Sequence, residues 1–253
     1  MRLFTAALFA LSTMSATGFS AAAEADYRNA IAHSHRSEAD RRADMHRHPL
    51  TVLQFAEVQP GEVVLDVFAG GGYYSELLAH VVGEKGRVDA FNNQPYLNWV
   101  GDQIRTRLAD NALPNVRRLD VEVDDLSLPA KHYDLIIASM AFHDLYYADP
   151  ANGWPEMDAK KFYQTLHRAL KPNGRLVVID HSARPGTGVS ATQSLHRIDE
   201  QFLLKDLQQA GFALDAQSDA LRNSNDNRDM SSFEPRIRYQ TDRFLWRMKK
   251  AGS

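Results

Sequence analysis

The stretch from 63 to 79, VVLDVFAGGGYYSELLA, limits the fold more than any other part of the chain. Val63, Val64, Leu65 and Val67 surround one acidic residue, Asp66; Gly70, Gly71 and Gly72 follow, and then Tyr74, Leu77 and Leu78 recur at helical spacing. A short apolar run, a glycine cluster and a 3.6-residue period read as a buried strand, a tight turn and a helix. Glycine permits positive φ and lets another group approach the backbone, and a helix starting there carries N–H groups without intrahelical partners. Strand-to-helix turns also use glycine for steric reasons alone. Asp66 adds weight to a functional reading, because a carboxylate in an apolar strand needs a partner to offset desolvation. The segment therefore reads as a cradle for a nucleotide-type cofactor.

The chain has 253 residues, no cysteine and a net charge of -3. That length suits one domain with an ample core. Slight acidity supplies no field that would concentrate phosphates, so no nucleic-acid partner is expected, and the basic pair Arg117 and Arg118 reads as a solvated face.

Residues 1 to 23 read as a signal peptide. Arg2 precedes an apolar, alanine-rich run that ends in Ala21, Ala22 and Ala23, which places cleavage after Ala23 or Ala25. Ser12, Thr13, Ser15, Thr17 and Gly18 dilute the run and disfavour an uncleaved anchor. The segment offers neither a cysteine for lipid attachment nor a twin-arginine pair. The expectation is a periplasmic or secreted protein with no stable membrane insertion after cleavage.

Residues 26 to 49 are polar and helical in composition, with His33, His35, His46 and His48. Residues two apart on a helix point in different directions, so neither His-x-His pair makes a natural two-ligand site. Residues 24 to 60 read as an N-terminal helical segment, either solvated or a cap over the cofactor cleft, and no metal ligands are assigned. After the glycine segment, a second strand ends at Asn92 and Asn93, a polar helix spans about 95 to 109, and NVRRLDVEV forms a third strand. YDLIIASMAFHDLYY is a buried strand that empties into His143, Asp144, Tyr146 and Tyr147. A helix, a Lys-Pro-Asn-Gly turn and a fifth strand ending at Asp180 and His181 follow; then come a helix over about 198 to 210, a strand over 211 to 216, a polar loop and a last strand near 242 to 248. This alternation implies a parallel sheet closed by an antiparallel last strand.

Asp66 and the glycine turn resemble motif I of the class I S-adenosylmethionine-dependent methyltransferases, an acidic strand residue followed by Gly-x-Gly-x-Gly. Gly70 and Gly72 match the second and third glycines, and Phe68 stands in place of the first. A dinucleotide-binding turn fits less well, because Ser75 occupies its third glycine position and Asp66 a normally apolar one. Beyond that motif, RHPLTVLQFAEVQPGEVVLDVFAGGGYYSELLA, FHDL, VVIDHSA, SLHRID and TDRFLWRMKK are similar to a group of bacterial predicted methyltransferases that often carry export signals; the resemblance covers about residues 45 to 249. It implies an α/β, Rossmann-like class I methyltransferase fold over residues 61 to 249, with a mostly parallel seven-stranded sheet, an antiparallel last strand and helices on both faces. It implies S-adenosyl-L-methionine as cofactor, held by Asp66, Gly70 and Gly72. The acidic residue that usually holds the ribose hydroxyls aligns with Asn92. The cluster Glu122, Asp124 and Asp125 resembles the loop that contacts the adenine amino group; spacing does not decide among the three, and Asp124 is preferred.

In an open α/β sheet, ligands bind outside the carboxyl ends of the strands. Asp66, Asn92, Asp124, His143 and His181 all fall at such ends. His143, Asp144 and His181 are the candidates for catalysis or acceptor orientation, with histidine the natural base near neutral pH and a carboxylate to orient it. His196 and Arg197 are further candidates from the shared strings, and Tyr146, Tyr147 and Trp154 are candidates for an aromatic wall. The strand-four exit SMAFHDL lacks the Asn/Asp-Pro-Pro-aromatic signature of amino-group methyltransferases acting on bases or glutamine, which favours a small-molecule acceptor. The competing expectation is a non-catalytic exported binding protein on a methyltransferase-like scaffold. The export reading is checked by mass spectrometry of protein from the periplasmic fraction: a chain starting at Glu24 or Asp26 is expected, and a cytoplasmic chain starting at Met1 contradicts it.

Overall fold

A computed structural model describes residues 21–252. The expected signal peptide lies outside the described residues except for its last three, which open the first helix. Three helices come first, α1 (Ala21–Ala32), α2 (Glu38–Arg47) and α3 (Pro49–Ala56). The alternating part follows as β1 (Val63–Val67), α4 (Tyr73–Val82), β2 (Arg87–Asn92), α5 (Gln94–Val100), α6 (Gln103–Arg107), β3 (Val116–Asp120), β4 (Tyr133–Ser139), α7 (Ala159–Ala169) and β5 (Leu170–His181). The short α8 (Thr192–Leu195), α9 (Glu200–Gln209), β6 (Phe212–Ser218) and β7 (Arg243–Lys250) complete the chain.

The strands form one seven-stranded sheet in the order β3-β2-β1-β4-β5-β7-β6. β1 to β5 pair in parallel, and β7 runs antiparallel to both β5 and β6. This is the Rossmann-like arrangement expected from the sequence. The near-continuous apolar strands follow from coverage on both faces. Side chains alternate along each strand: Leu65, Val67, Ile136 and Ala138 face a core with Phe162, Leu166, Leu203 and Leu207 of α7 and α9, whereas Val64, Leu135 and Ile137 face a core with Leu53, Leu77 and Leu78 of α3 and α4. Strand order reverses between β1 and β4, which places a crevice outside their carboxyl ends. No helix among the described residues is long and apolar enough to cross a membrane.

Three details differ from the expected pattern. The polar helix over 95 to 109 is two helices, broken at Gly101 (φ 58). The Lys-Pro-Asn-Gly segment lies within β5, where the register slips between Tyr133 and Leu135 of β4. The helical stretch over 26 to 49 is divided between α1 and α2, with a turn between Ala32 and Glu38, and Pro49 opens α3 at the first turn, where its missing N–H costs nothing.

The N-terminal helices are bound to the sheet domain by buried charge. Arg36 makes a two-pronged pair with Asp44 at 2.7 and 2.6 Å, and Asp44 accepts the Tyr73 hydroxyl at 2.6 Å. Arg107 of α6 joins Asp40 of α2 (2.8 Å) to Glu76 of α4, and Glu76 also lies 2.9 Å from His35 Nδ1. The two His-x-His pairs are thereby accounted for individually: His33 stacks on His80, His35 meets Glu76, His46 stacks on Tyr239, and His48 caps α2. Burial alone raises the Glu76 pKa, but His80, His35 and Arg107 outweigh it and hold the carboxyl down at about 2. A folded pKa below the ordinary 4.5 stabilises the fold fully above about pH 4.5, and that contribution is lost as pH falls toward 2. Glu76→Gln is therefore expected to cost about 3 kcal/mol at pH 7, the low end for breaking a buried pair because Arg107 keeps Asp40. Denaturant titrations from pH 7 to pH 2 should show the gap to wild type narrowing with acid; a constant gap contradicts the assignment.

Candidate active site

A cavity of about 550 Å³ opens outside the carboxyl ends of β1, β4 and β5, in the crevice where strand order reverses. On one side it meets the glycine turn. Asp66 continues the hydrogen-bonded core of β1, and its side chain accepts the Ser75 hydroxyl at 2.6 Å. Burial pushes the Asp66 carboxyl up to about 7, with Ser75, Arg47 and Arg107 pulling the other way. It lines the cavity and has no ion pair among the described residues. Phe68, which stands in place of the motif's first glycine, adopts φ 49, a left-handed conformation that glycine would take without strain. Its ring stacks on Tyr96 at 4.7 Å, which supplies the packing that offsets the strain.

Asn92 holds the turn. Its buried side chain accepts the Gly70 N–H at 2.9 Å and donates to the Gly70 carbonyl at 3.1 Å, satisfying both backbone groups of one residue at φ 57. Asn92 stands behind the residues that line the cavity, and its side chain organises the turn. A carboxylate could not make both bonds, because it has no donor. Gly72 adopts φ 82, and a Cβ there would meet the side chains of Ile104 at 2.6 Å and Arg107 at 3.0 Å, so both backbone conformation and the approach of α6 favour glycine at this position. Gly70 and Gly71 are the glycines that border the cavity. Asp124 lies outside it, exposed and 3.3 Å from Lys161.

The opposite wall is a cluster of histidines and carboxylates. His143 and Asp144 sit in the 3-10 turn that follows β4, and Asp180 and His181 end β5. His143 Nδ1 lies 2.6 Å from Asp180 Oδ1, and its Nε2 lies 3.2 Å from Asp144 Oδ1. Asp180 also accepts the backbone N–H of His143 (2.9 Å) and of His181 (2.7 Å), while Asp144 accepts the Tyr96 hydroxyl at 2.5 Å. Burial opposes charge on His143, but Asp144 and Asp180 outweigh it and hold the ring pKa well above its ordinary value. Both ring nitrogens of His143 thus face carboxylates, an arrangement that fixes the orientation of the imidazole. Burial raises the Asp144 pKa, but His143, His196 and Tyr96 overcome that and hold it below the usual carboxylate range. His181 is shifted the other way: burial, then His143 and Arg243, press its pKa well below 6.5, and its Nδ1 lies 2.7 Å from Thr241 Oγ1.

His143, Asp144 and His181 are thus brought together on one wall, with Tyr147, Trp154 and His196 beside them. Tyr146 is turned away and donates to Asp206 at 2.7 Å. Arg197, next to His196, is fully buried in a pair with Asp226 and lies outside the cavity. The sequence reading missed Asp180 and Tyr96 as members of the cluster, and Arg47 and Arg243 on the cavity wall. Asp180 carried a legible signal, the same lone carboxylate in an apolar strand that singled out Asp66. Neither Arg47 nor Arg243 forms an ion pair among the described residues; Arg47 lies over the Tyr73 ring, and Arg243 donates to the His46 carbonyl.

Residues 59–229 match the family model for a methyltransferase domain. The chain belongs to that family. This methyltransferase-family chain is 28% identical over 131 residues to the ubiquinone/menaquinone biosynthesis C-methyltransferase UbiE of Shewanella sp. (strain ANA-3), covering 51% of the chain and 47% of the relative. The chain therefore spans about half the length of the curated relatives it matches. Among solved structures, an S-adenosylmethionine-dependent methyltransferase from Aquifex aeolicus superposes with a TM-score of 0.56 at 23% identity, covering 78% of this chain and 87% of that one. The [4+2]-cyclase SpnF superposes equally well, with a TM-score of 0.56 at 19% identity, covering 85% and 82%. At these identities the likeness is one of fold, and a scaffold shared with a cyclase leaves the reaction to be argued from the site.

Proposed function

We propose that the protein transfers the methyl group of S-adenosyl-L-methionine to a small-molecule acceptor held against the histidine and carboxylate wall. The observation that carries this reading is Asp66: a buried carboxyl beside the glycine turn, facing the cavity and lacking an ion-pair partner among the described residues. A ligand with an ammonium group would supply the missing charge and return Asp66 to its ionised form. Arg47 and Arg243 offer the complementary charge for a carboxylate, on the cofactor or on the acceptor. Methyl transfer is an in-line displacement at a sulfonium, so the protein's work is to hold donor and acceptor close and to receive the acceptor's proton where one is lost. His181 lines the wall with Nδ1 tied to Thr241, which leaves Nε2 for that proton. Trp99 and Phe233, exposed aromatic residues in edge contact at the cavity mouth, favour an acceptor with an apolar body. We propose further that the protein works after export, on the strength of the order of Arg2, apolar run and Ala21 to Ala23.

The second reading, a non-catalytic binding protein, is favoured by one pair of observations: Asn92 and Asp124, the positions aligned with ribose and adenine contacts, lie outside the cavity. Incubation with methyl-labelled S-adenosylmethionine and a panel of phenols, thiols, amines and carbon acids separates the two. The enzyme reading expects label on at least one acceptor, and Asp66→Ala should lower kcat/KM for the cofactor by about 10- to 100-fold, the worth of one charged hydrogen bond. Cofactor binding with no transfer across the panel supports the binding protein, and an Asp66→Ala variant with undiminished kcat/KM removes the observation on which the proposal stands.

A further inference from the structure

We propose that His143, Asp144 and His196 form a site for one divalent first-row transition ion, such as Zn²⁺, open to the cavity. One donor atom from each lies within 4.8 Å of the other two. His143 Nε2 is 3.2 Å from Asp144 Oδ1, and His196 Nδ1 is 3.5 Å from the same oxygen. Ligands about 2.1 Å from a tetrahedral ion stand about 3.4 Å apart, so two of these spacings already match and the third closes with a small side-chain rotation.

Three observations independent of spacing point to a ligand. His196 Nδ1 is buried with no hydrogen-bond partner among the described residues, its contact with Asp144 standing at 3.5 Å. The residue that carries it sits at φ 50, in the left-handed region, as the cap of α8. The outer support of a metal site is also in place. Asp180 stands 2.6 Å from the far ring nitrogen of His143, the arrangement that fixes a ligating imidazole in orientation and tautomer, and Tyr96 donates to the oxygen of Asp144 that the ion would not use. Charge supplies the third. Asp144 and Asp180 are both buried, and among the described residues neither pairs with lysine or arginine; histidines are their only cationic partners. One imidazolium leaves a buried negative charge uncompensated, and two would place like charges on rings whose centroids are 5.7 Å apart. A divalent ion with neutral imidazoles balances both carboxylates.

Two imidazoles and one carboxylate form a borderline donor set that takes Zn²⁺ or a neighbour, whereas Mg²⁺ and Ca²⁺ prefer oxygen throughout. Three protein ligands leave a position open, and all three residues line the cavity. That open position would take an oxygen or sulfur of the acceptor; this assignment rests on the methyl-transfer reading, and ion binding itself does not.

The test uses the untagged mature chain, stripped of metal with a chelator and titrated with Zn²⁺ by calorimetry and with Co²⁺ by visible absorption, in the absence of cofactor. One ion per chain is expected, with a Co²⁺ spectrum of low-symmetry nitrogen and oxygen ligation. His196→Ala should weaken binding by more than the roughly 10- to 100-fold that loss of an outer-shell partner costs. The double variant His33→Ala, His35→Ala should bind as wild type, and circular dichroism of each variant reports its fold. Failure of wild type to bind either ion, or unchanged binding by folded His196→Ala, overturns the proposal. Because no cofactor or acceptor is present, these outcomes are independent of whether methyl transfer occurs.

Discussion

The buried amide of Asn92 is the interaction on which the site depends. It satisfies both backbone groups of Gly70 and so fixes the chain at the exit of β1, in a conformation that brings the turn to the cavity and starts α4 in register. The neighbours conform to that constraint. Phe68 accepts a left-handed conformation and is held there by its stack on Tyr96; Gly71 and Gly72 admit α6, whose Arg107 donates to the Gly71 carbonyl at 2.7 Å and then reaches Asp40 and Glu76. One buried hydrogen-bond pair thus connects the sheet, the turn and the N-terminal helices.

The opposite wall is organised by charge. Asp144 and Asp180 are desolvated, and each is stabilised by His143 and by fixed donors, namely Tyr96 for Asp144 and backbone N–H groups for Asp180. Such preorganised polar groups keep their orientation when a substrate enters, which is where an enzyme gains most from electrostatics. Asp66 faces the same cavity from the glycine turn, with its charge only partly stabilised. Asp144 and Asp180 have histidines and fixed donors for partners, whereas Asp66 has no ion pair among the described residues, and that contrast assigns Asp66 to a cationic ligand.

The sheet was readable from sequence because its signals are local: apolar runs bounded by glycine and proline, and helical periods between them. The register slip in β5 was not, since pairing between strands decides it, whereas the break after Val100 carries a local mark in Gly101 at φ 58. The site divides along the same line. Asp66, Gly70, His143, Asp144 and His181 stand at strand ends, and chain order alone carries them to the crevice. Asn92 also ends a strand, but whether its amide turns to the cavity or to Gly70 is settled by a contact across 22 positions of sequence. Asp124 ends in solvent beside Lys161. Glycine clusters carry no label for what approaches them, and at Gly72 the Ile104 side chain comes close from 32 positions away. The partnership of His143 with Asp180, 37 positions away, was hidden for the same reason.

Calorimetry of S-adenosylmethionine binding to wild type and to Asn92→Asp tests the central claim most directly. If residue 92 fixes the turn, the aspartate loses the donor to Gly70 and sets a carboxylate against its carbonyl, so a variant with wild-type circular dichroism should bind at least about 10-fold more weakly. If instead position 92 serves the ribose, as the resemblance to motif-bearing relatives implies, the acidic residue should bind the cofactor more tightly. Tighter binding by Asn92→Asp would contradict the account.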